Sequence, residues 1–274
     1  MRKQTEHRPV VLAIGGHDPG GGAGVQADIE SIGVNGCHAA TALTCLTVQD
    51  SCDVSELIPL PAETLRAQSL AVLQDCRVSA IKIGLLGTLP AAETVIALLR
   101  EYPDIPVIFD PVLAAGGGSD LATKALLEFI RRELLPLCDL ITPNTHEASR
   151  LTGLEPNLPA DEYALGLQQL GARAVLLTGT HDLSSSTEVV NRLYRPGEEP
   201  LISTWPRLPG EYHGSGCTLA AATAARIGLG EPLEAAVRHA LTFSWTSLKQ
   251  GFRSGRCQLL PNRLYQIPNQ VFEA

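Results

Sequence analysis

Apolar runs of strand length alternate with longer stretches of helical spacing along this chain. Residues 10–14, 80–84, 107–110, 140–142 and 174–178 are short and almost continuously apolar, the pattern of strands buried on both faces. Between them, residues 61–73, 90–99, 124–134 and 161–170 repeat apolar positions at helical spacing, and so does the stretch from Ala23 to Asn35. Strand and helix taking turns is the βαβ rhythm of a mainly parallel sheet, an α/β fold. No internal repeat or low-complexity linker interrupts it, so residues 1–274 are expected to form one domain. SSST (184–187) and RPGEEP (195–200) are expected to be exposed turns.

In such sheets ligands gather at the carboxyl ends of the strands, so the polar residues found there carry the candidate chemistry. They are GGHDPGGGAG (15–24), with Asp18 as its charged group; Gln49, after an apolar run ending at Val48; Asp110; PNTHE (143–147); and HGSGCTLAAATAARIG (213–228). The last is the most informative. Gly214 and Gly216 let the backbone turn tightly and approach a ligand, and the alanine-rich run after Leu219 favours a helix. The first amides of that helix lack internal partners and sit at the positive end of its dipole, a natural seat for phosphate. Cys217 falls in the same turn, where that field is expected to lower its thiol pKa below the free value of about 8.5 and let it take a proton. The residues also fit a plain Ser-capped turn with Cys217 as a small buried hydrophobe. Asn144 and Glu147 likewise fit a capping box opening a short helix, THEASRL.

With 45% hydrophobic content and no stretch near the roughly 20 apolar residues of a membrane span, the 274-residue chain reads as soluble. The N-terminal MRKQTEHRPV holds no apolar signal core, which points to the cytoplasm. Seven Cys without a C-x-x-C pair speak against a zinc site and a disulfide framework, leaving core or near-core thiols. A net charge of −8, with Lys only at 3, 82, 124 and 249 and no basic cluster, argues against nucleic acid as a partner.

GGHDPGGGAGVQADIES, TALTCLTVQDS, IKIGLLGT, FDPVL, LITPNTHEASRLTG and HGSGCTLAAA, in that order and spacing, resemble the hydroxymethylpyrimidine and phosphomethylpyrimidine kinases of thiamine biosynthesis over about residues 10–251. The resemblance implies a three-layer αβα ribokinase-like fold and a homodimer. It also implies ATP-dependent, Mg2+-requiring phosphorylation of 4-amino-5-hydroxymethyl-2-methylpyrimidine, of its monophosphate, or of both. In that family pattern Gly16 and Gln49 hydrogen-bond the aminopyrimidine, Asp18 sits beside it, and Val48, Leu85 and Val112 clamp the ring. Core packing is the plain alternative for those three apolar residues. Asp110 and Glu147, with Asn144, would hold Mg2+ and its waters near the nucleotide phosphates, where Thr178 also lies. The amides of Gly214, Ser215 and Gly216 would stabilise the transferred group while Cys217 accepts the substrate hydroxyl proton.

Two departures from that pattern stand out. TGTH (178–181) replaces KGGH, so Thr178 stands where a phosphate-neutralising lysine is expected, and Gly116-Gly117-Gly118 replaces Lys-Ser-Gly. Each lost cation removes a contribution of about several kcal/mol to transition-state stabilisation. Arg207, Arg253 and Arg256 are candidate replacements, whereas Lys82 matches a position of its own. Residues 116–118 read either as a flap that closes over substrate or as a mobile loop. A pyridoxal kinase-like enzyme, or an aminopyrimidine-binding protein with weak or no transfer, are the alternatives. The ending, RCQLLPNRLYQIPNQVFEA, departs from the commoner family ending and suggests no role.

Overall fold

The apolar runs become the centre of a nine-stranded sheet in a computed structural model that describes residues 7–180 and 187–267. In chain order the elements are β1 (Val10–His17), α1 (Gly24–Val34), β2 (His38–Gln49), β3 (Val54–Pro59), α2 (Ala62–Asp75), β4 (Val78–Ile83), α3 (Leu89–Glu101), β5 (Val107–Phe109), α4 (Lys124–Phe129), β6 (Leu140–Ile141), α5 (Thr145–Thr152), α6 (Ala160–Gln169), β7 (Val175–Leu177), β8 (Glu188–Tyr194), β9 (Leu201–Pro206), α7 (Ser215–Gly228) and α8 (Leu233–Lys249). The sheet order is β3-β2-β1-β4-β5-β6-β7-β8-β9; β2 through β7 in that order pair in parallel, and β3, β8 and β9 pair antiparallel at the edges. The chain leaves β1 towards β2 and returns to β4 on the other side of β1. The loops after β1 and β4 therefore part company, and a crevice opens at their carboxyl ends.

Because side chains alternate along a strand, each apolar run feeds two cores. Leu12, Ile14, Ile81, Ile83, Val107, Phe109, Val175 and Leu177 pack under α2 to α6. Val11, Ala13, Ala80, Ile108, Leu140 and Leu176 pack under α1, α7 and α8. Helix α3 shows the local logic: Thr88 accepts the Ala91 amide at its start, and Val95, Ile96, Leu98 and Leu99 make its buried face. The helix expected over 124–134 is α-helical only through Phe129, then passes through a π-turn (Ile130–Leu134) and a 3-10 turn (Leu135–Leu137). Pro136 has no N–H to give the preceding turn, so regular winding ends there.

The turn over 195–200 is exposed as expected, with Gly197 at φ +74°, while Ser184, Ser185 and Ser186 lie outside the described residues. The cysteine reading needs a correction: Cys52 and Cys257 form a disulfide across 205 residues, joining the turn after β2 to the C-terminal segment. A pairing between a hairpin turn and a distant tail leaves no local spacing to find. Cys37, Cys45, Cys138 and Cys217 are buried free thiols. No described helix is long and apolar enough to cross a membrane.

Candidate active site

A cavity of about 750 Å³ opens at the carboxyl ends of the parallel strands, where the glycine loop after β1, the residues following β4 to β7 and the start of α7 meet. Gly214, Ser215, Gly216 and Cys217 line it. Gly214 adopts φ +81°, and a Cβ there would overlap the carbonyl oxygen of Gly22, so only glycine fits where the two loops touch. Helix α7 has no side-chain cap, and its first internal bond runs from the Thr218 amide to the Gly214 carbonyl at 3.0 Å. The amides of Ser215, Gly216 and Cys217 thus precede the helical ladder, in the arrangement that takes an anion. Ser215 is the first helical residue and does not act as a cap.

Asp110 follows β5 and approaches this turn so closely that a Cβ on Gly216 would lie 3.3 Å from its Oδ1. Behind it stands a buried ionic cluster. Lys82 Nζ lies 2.8 Å from Asp28 Oδ1 and 4.0 Å from Asp110 Oδ2, and all three side chains are almost fully enclosed. Burial alone would strip Lys82 of its proton, but Asp28 first, then Cys217 and Asp110, outweigh it and raise its pKa. Burial raises the Asp110 carboxyl, with Lys82 pulling the other way.

The expected low pKa of Cys217 is overturned. Burial pushes the thiol up to about 12; Lys82 opposes this, while Asp110 and Asp28 add to it. The field of a helix terminus is smaller than the desolvation of a thiolate placed beside two carboxylates, so the thiol keeps its proton at neutral pH in this site.

Asn144 and Glu147 form a complete capping box at the start of α5: Asn144 Oδ1 accepts the Glu147 amide at 2.9 Å and Glu147 Oε2 accepts the Asn144 amide at 2.8 Å. Both also line the cavity, so a cap does not keep them from facing it. Burial, then the charge of Asp110, pushes the Glu147 carboxyl up to about 8. A carboxyl raised by its neighbour's charge, with Asp110 Oδ2 lacking any hydrogen-bond donor, suits a hard divalent cation. No three His, Cys, Asp or Glu side chains cluster to hold one among the described residues, so water and phosphate would supply its remaining oxygens.

Gly16, Gln49, Leu85 and Val112 also line the cavity. A Cβ on Gly16 would come within 3.0 Å of Cys45 Sγ and 3.1 Å of Leu85 Cδ2, so a side chain has little room here. Val48 is the exception: Thr47 and Gln49 take the cavity side of β2, and alternation leaves Val48 outside the cavity and 47% exposed. Asp18 lines the cavity but turns its carboxylate into its own loop, accepting from the Gly20 and Ala23 amides at 2.7 Å each and meeting His213 Nε2 at 3.0 Å. Burial would raise its pKa, yet His213 and the two amides prevail and hold it below the usual carboxylate value.

Thr178 bridges to Asn144 after β7 and lines the cavity without bringing a charge. Of the three candidate arginines only Arg207 reaches the cavity, its Nη1 on the Thr180 carbonyl at 2.9 Å. Arg256 pairs with Asp50 at the surface and Arg253 holds the carbonyls of Arg256 and Cys257. Residues 116–118 sit in a hairpin closed by the Ala114–Asp120 bridge and docked on the β2–β3 turn through Ser119 Oγ to Asp53 Oδ2 at 2.8 Å. His181, the last residue of TGTH, lies outside the described residues.

Asp28, His213, Arg150 and the stacked pair Trp205–Trp245 line or border the cavity without a role in the sequence reading. Asp28 and Lys82 did leave a signal. Asp28 shares a helix face with Val25 and Ile32, and Lys82 interrupts the apolar run of β4; a charge at an inward position needs a partner.

Comparison with known proteins agrees with this geometry. The model of the phosphomethylpyrimidine kinase family matches residues 18–262. A hydroxymethylpyrimidine/phosphomethylpyrimidine kinase of Haemophilus influenzae is 35% identical over 251 residues, 90% of this chain and 93% of the relative. Among solved structures, pyridoxal kinase of Bacillus subtilis in complex with ADP superposes with a TM-score of 0.87 at 28% identity, covering 96% of this chain and all of that one. A phosphomethylpyrimidine kinase of Clostridium difficile gives 0.76 at 27% identity, covering 88% of this chain and all of that one. The extent of these matches, over the same strands and loops that build the cavity, makes the chain a member of the phosphomethylpyrimidine kinase family, with the ribokinase-like fold.

Proposed function

We propose that this protein phosphorylates the hydroxymethyl group of 4-amino-5-hydroxymethyl-2-methylpyrimidine, and the resulting monophosphate, with ATP as donor. The observation that carries the reading is the uncapped first turn of α7 set against Asp110 and Cys217, with Gly16, Gln49, Leu85 and Val112 in the same cavity. Gly16 and Gln49 offer backbone and amide groups to the edge of a flat ring. Leu85 and Val112 press on its faces. The amides of Ser215, Gly216 and Cys217 receive the transferred phosphoryl group as the substrate oxygen bonds to phosphorus and the bond to the ADP oxygen breaks. Asp110 and Glu147, with Asn144 beside them, would hold Mg2+, which supplies charge neutralisation for the phosphates. Cys217 can take the hydroxyl proton only as a thiolate; burial together with Asp110 and Asp28 keeps the thiol protonated, so its own proton must first leave to solvent, a loss that Lys82 favours and that Mg2+ beside Asp110 would favour further. Thr178 positions nucleotide through its hydroxyl and backbone in place of a charge.

The pyridoxal kinase reading is favoured by one observation, the higher TM-score against the Bacillus subtilis enzyme. Product analysis by mass spectrometry after incubation with Mg-ATP and each of hydroxymethylpyrimidine, its monophosphate and pyridoxal separates the two, with Cys217→Ala as control. Pyrimidine mono- or diphosphate that vanishes in the variant supports the proposal. Tight pyrimidine binding without any phosphorylated product overturns it in favour of a binding protein. We also infer a cytoplasmic homodimer: Leu46, Val48 and Ile58 are exposed together on β2 and β3, and light scattering of the purified protein tests the pairing.

A further inference from the structure

The C-terminal segment runs beneath the two loops that form the phosphate end of the cavity. His213 donates its amide to the Leu259 carbonyl at 2.9 Å, and the Leu259 amide donates to the Glu211 carbonyl at the same distance, so the tail pairs through an isolated bridge with the segment leading into the anion loop. Four residues later Arg263 is 2% exposed, among the largest enclosed side chains of the molecule. Its Nε lies 2.8 Å from Thr218 Oγ1, its Nη1 3.1 Å from Glu30 Oε2 and 3.4 Å from the Gly21 carbonyl, and its Nη2 bonds the Gly22 carbonyl. One planar group thus touches α1, the glycine loop and the first turn of α7.

Thr218 passes the contact on, since its hydroxyl donates to the Gly214 carbonyl at 2.8 Å. Gly22, held by Nη2, is the residue whose carbonyl a Cβ on Gly214 would overlap. Both sides of the junction between the glycine loop and the anion loop are therefore fixed by the same guanidinium. From this geometry we propose that Arg263 is a positioning residue for phosphoryl transfer, setting the spacing between the Gly21–Gly22 backbone and the amides of the anion loop. A guanidinium has five N–H donors in a rigid fork; lysine, with one donor centre on a flexible stem, cannot span three elements at once. A charge sealed under the first turn also adds to the positive field offered to a bound phosphate. The hydrogen bonds of Arg263 go to Thr218, Glu30, Gly21 and Gly22 and not to Gln49, Leu85 or Val112, so recognition of the pyrimidine is expected to be the less affected. The disulfide at Cys257 ties the same segment to the β2–β3 turn and keeps it in place.

The inference rests on the kinase reading for its kinetic arm and stands apart from it in a second arm. Arg263→Ala and Arg263→Lys, checked for native circular dichroism, are assayed for kcat per folded molecule and for KM of ATP. Both are expected to raise KM for ATP and together lower kcat/KM about a hundredfold, with the dissociation constant for hydroxymethylpyrimidine unchanged. Guanidinium ion at sub-denaturing concentration is expected to restore part of the loss in Arg263→Ala and none in Arg263→Lys. Hydrogen exchange by mass spectrometry, on the same proteins without substrate, is expected to show faster uptake at residues 20–24 and 213–218 alone. If Arg263→Ala does not fold, Thr218→Val carries the same tests. Kinetic constants within about twofold of the parent, or unchanged exchange at both loops, overturn the inference. A parent that transfers no phosphate refutes the kinase reading instead, and exchange together with affinity for a non-hydrolysable ATP analogue then decides the role of Arg263.

Discussion

The two faces of the sheet are built to different rules. Under α2 to α6 the core is mainly leucine, isoleucine and valine, with alanine in the minority. Under α1, α7 and α8 the helices are lined with alanine: Ala220, Ala221, Ala222, Ala224 and Ala225 are wholly buried, and the same layer takes in Asp28, Lys82, Thr218, Thr223 and Arg263. Small side chains bring α7 close to the strands, and that closeness lets Gly216 meet Asp110 and Gly214 meet Gly22. One face holds the molecule together through apolar area. The other gives up apolar area to hold polar groups in fixed relation at the cavity floor, where a buried charge is tolerable only because each has a partner.

Four changes break or sharpen that contrast. Cys217→Ala, on the polar face, is expected to lower the rate of phosphoryl transfer by about 10²–10⁴-fold with little change in the denaturant midpoint, measured by product formation and urea melts side by side. Lys82→Met leaves Asp28 and Asp110 without their cation and is expected to destabilise the fold by about 3–5 kcal/mol; adding Asp28→Leu should return much of it. A single variant no less stable than the parent would show that the cluster is not ionised as drawn. Leu98→Ala, on the apolar face, is expected to lose about 2–5 kcal/mol of stability while kcat per folded molecule stays the same. A fall in kcat would mean that the faces are coupled through the sheet.

The smallest effect is one of pH. Asp18 has a depressed pKa in the folded protein, so its contacts with His213 and the two amides add stability that is complete above the unfolded value near 3.8 and disappears as pH falls through the lower folded value. Asp18→Asn should therefore reduce the loss of stability on acidification below about pH 4, followed by thermal melts across pH. An unchanged slope would remove Asp18 from the list of groups that tie the glycine loop.

The parallel strands were legible because burial on both faces leaves continuous apolar runs, and the loops after them were legible because ligand-facing backbone needs glycine. The outer strands were not. β8 and β9 are half exposed, so polar residues such as Asn191, Arg192 and Thr204 break up their pattern. The side of β2 that Val48 occupies depends on register, which a one-residue slip reverses. The Cys217 pKa turned on how many carboxylates the fold brings beside it, and Asp28 and Asp110 come from helix and strand 82 residues apart in sequence. Arg263 had no periodic context at all; its partners lie over 40 residues away in the chain.

The bond between Cys52 and Cys257 makes most of this chain a covalent ring with an arm at each end, the N-terminal one carrying β1, α1 and β2. A protease that cuts once anywhere between those two residues opens the ring without separating the pieces. The two fragments stay joined until a thiol reduces the bridge, and a single scission within the ring is therefore visible on a gel only after reduction.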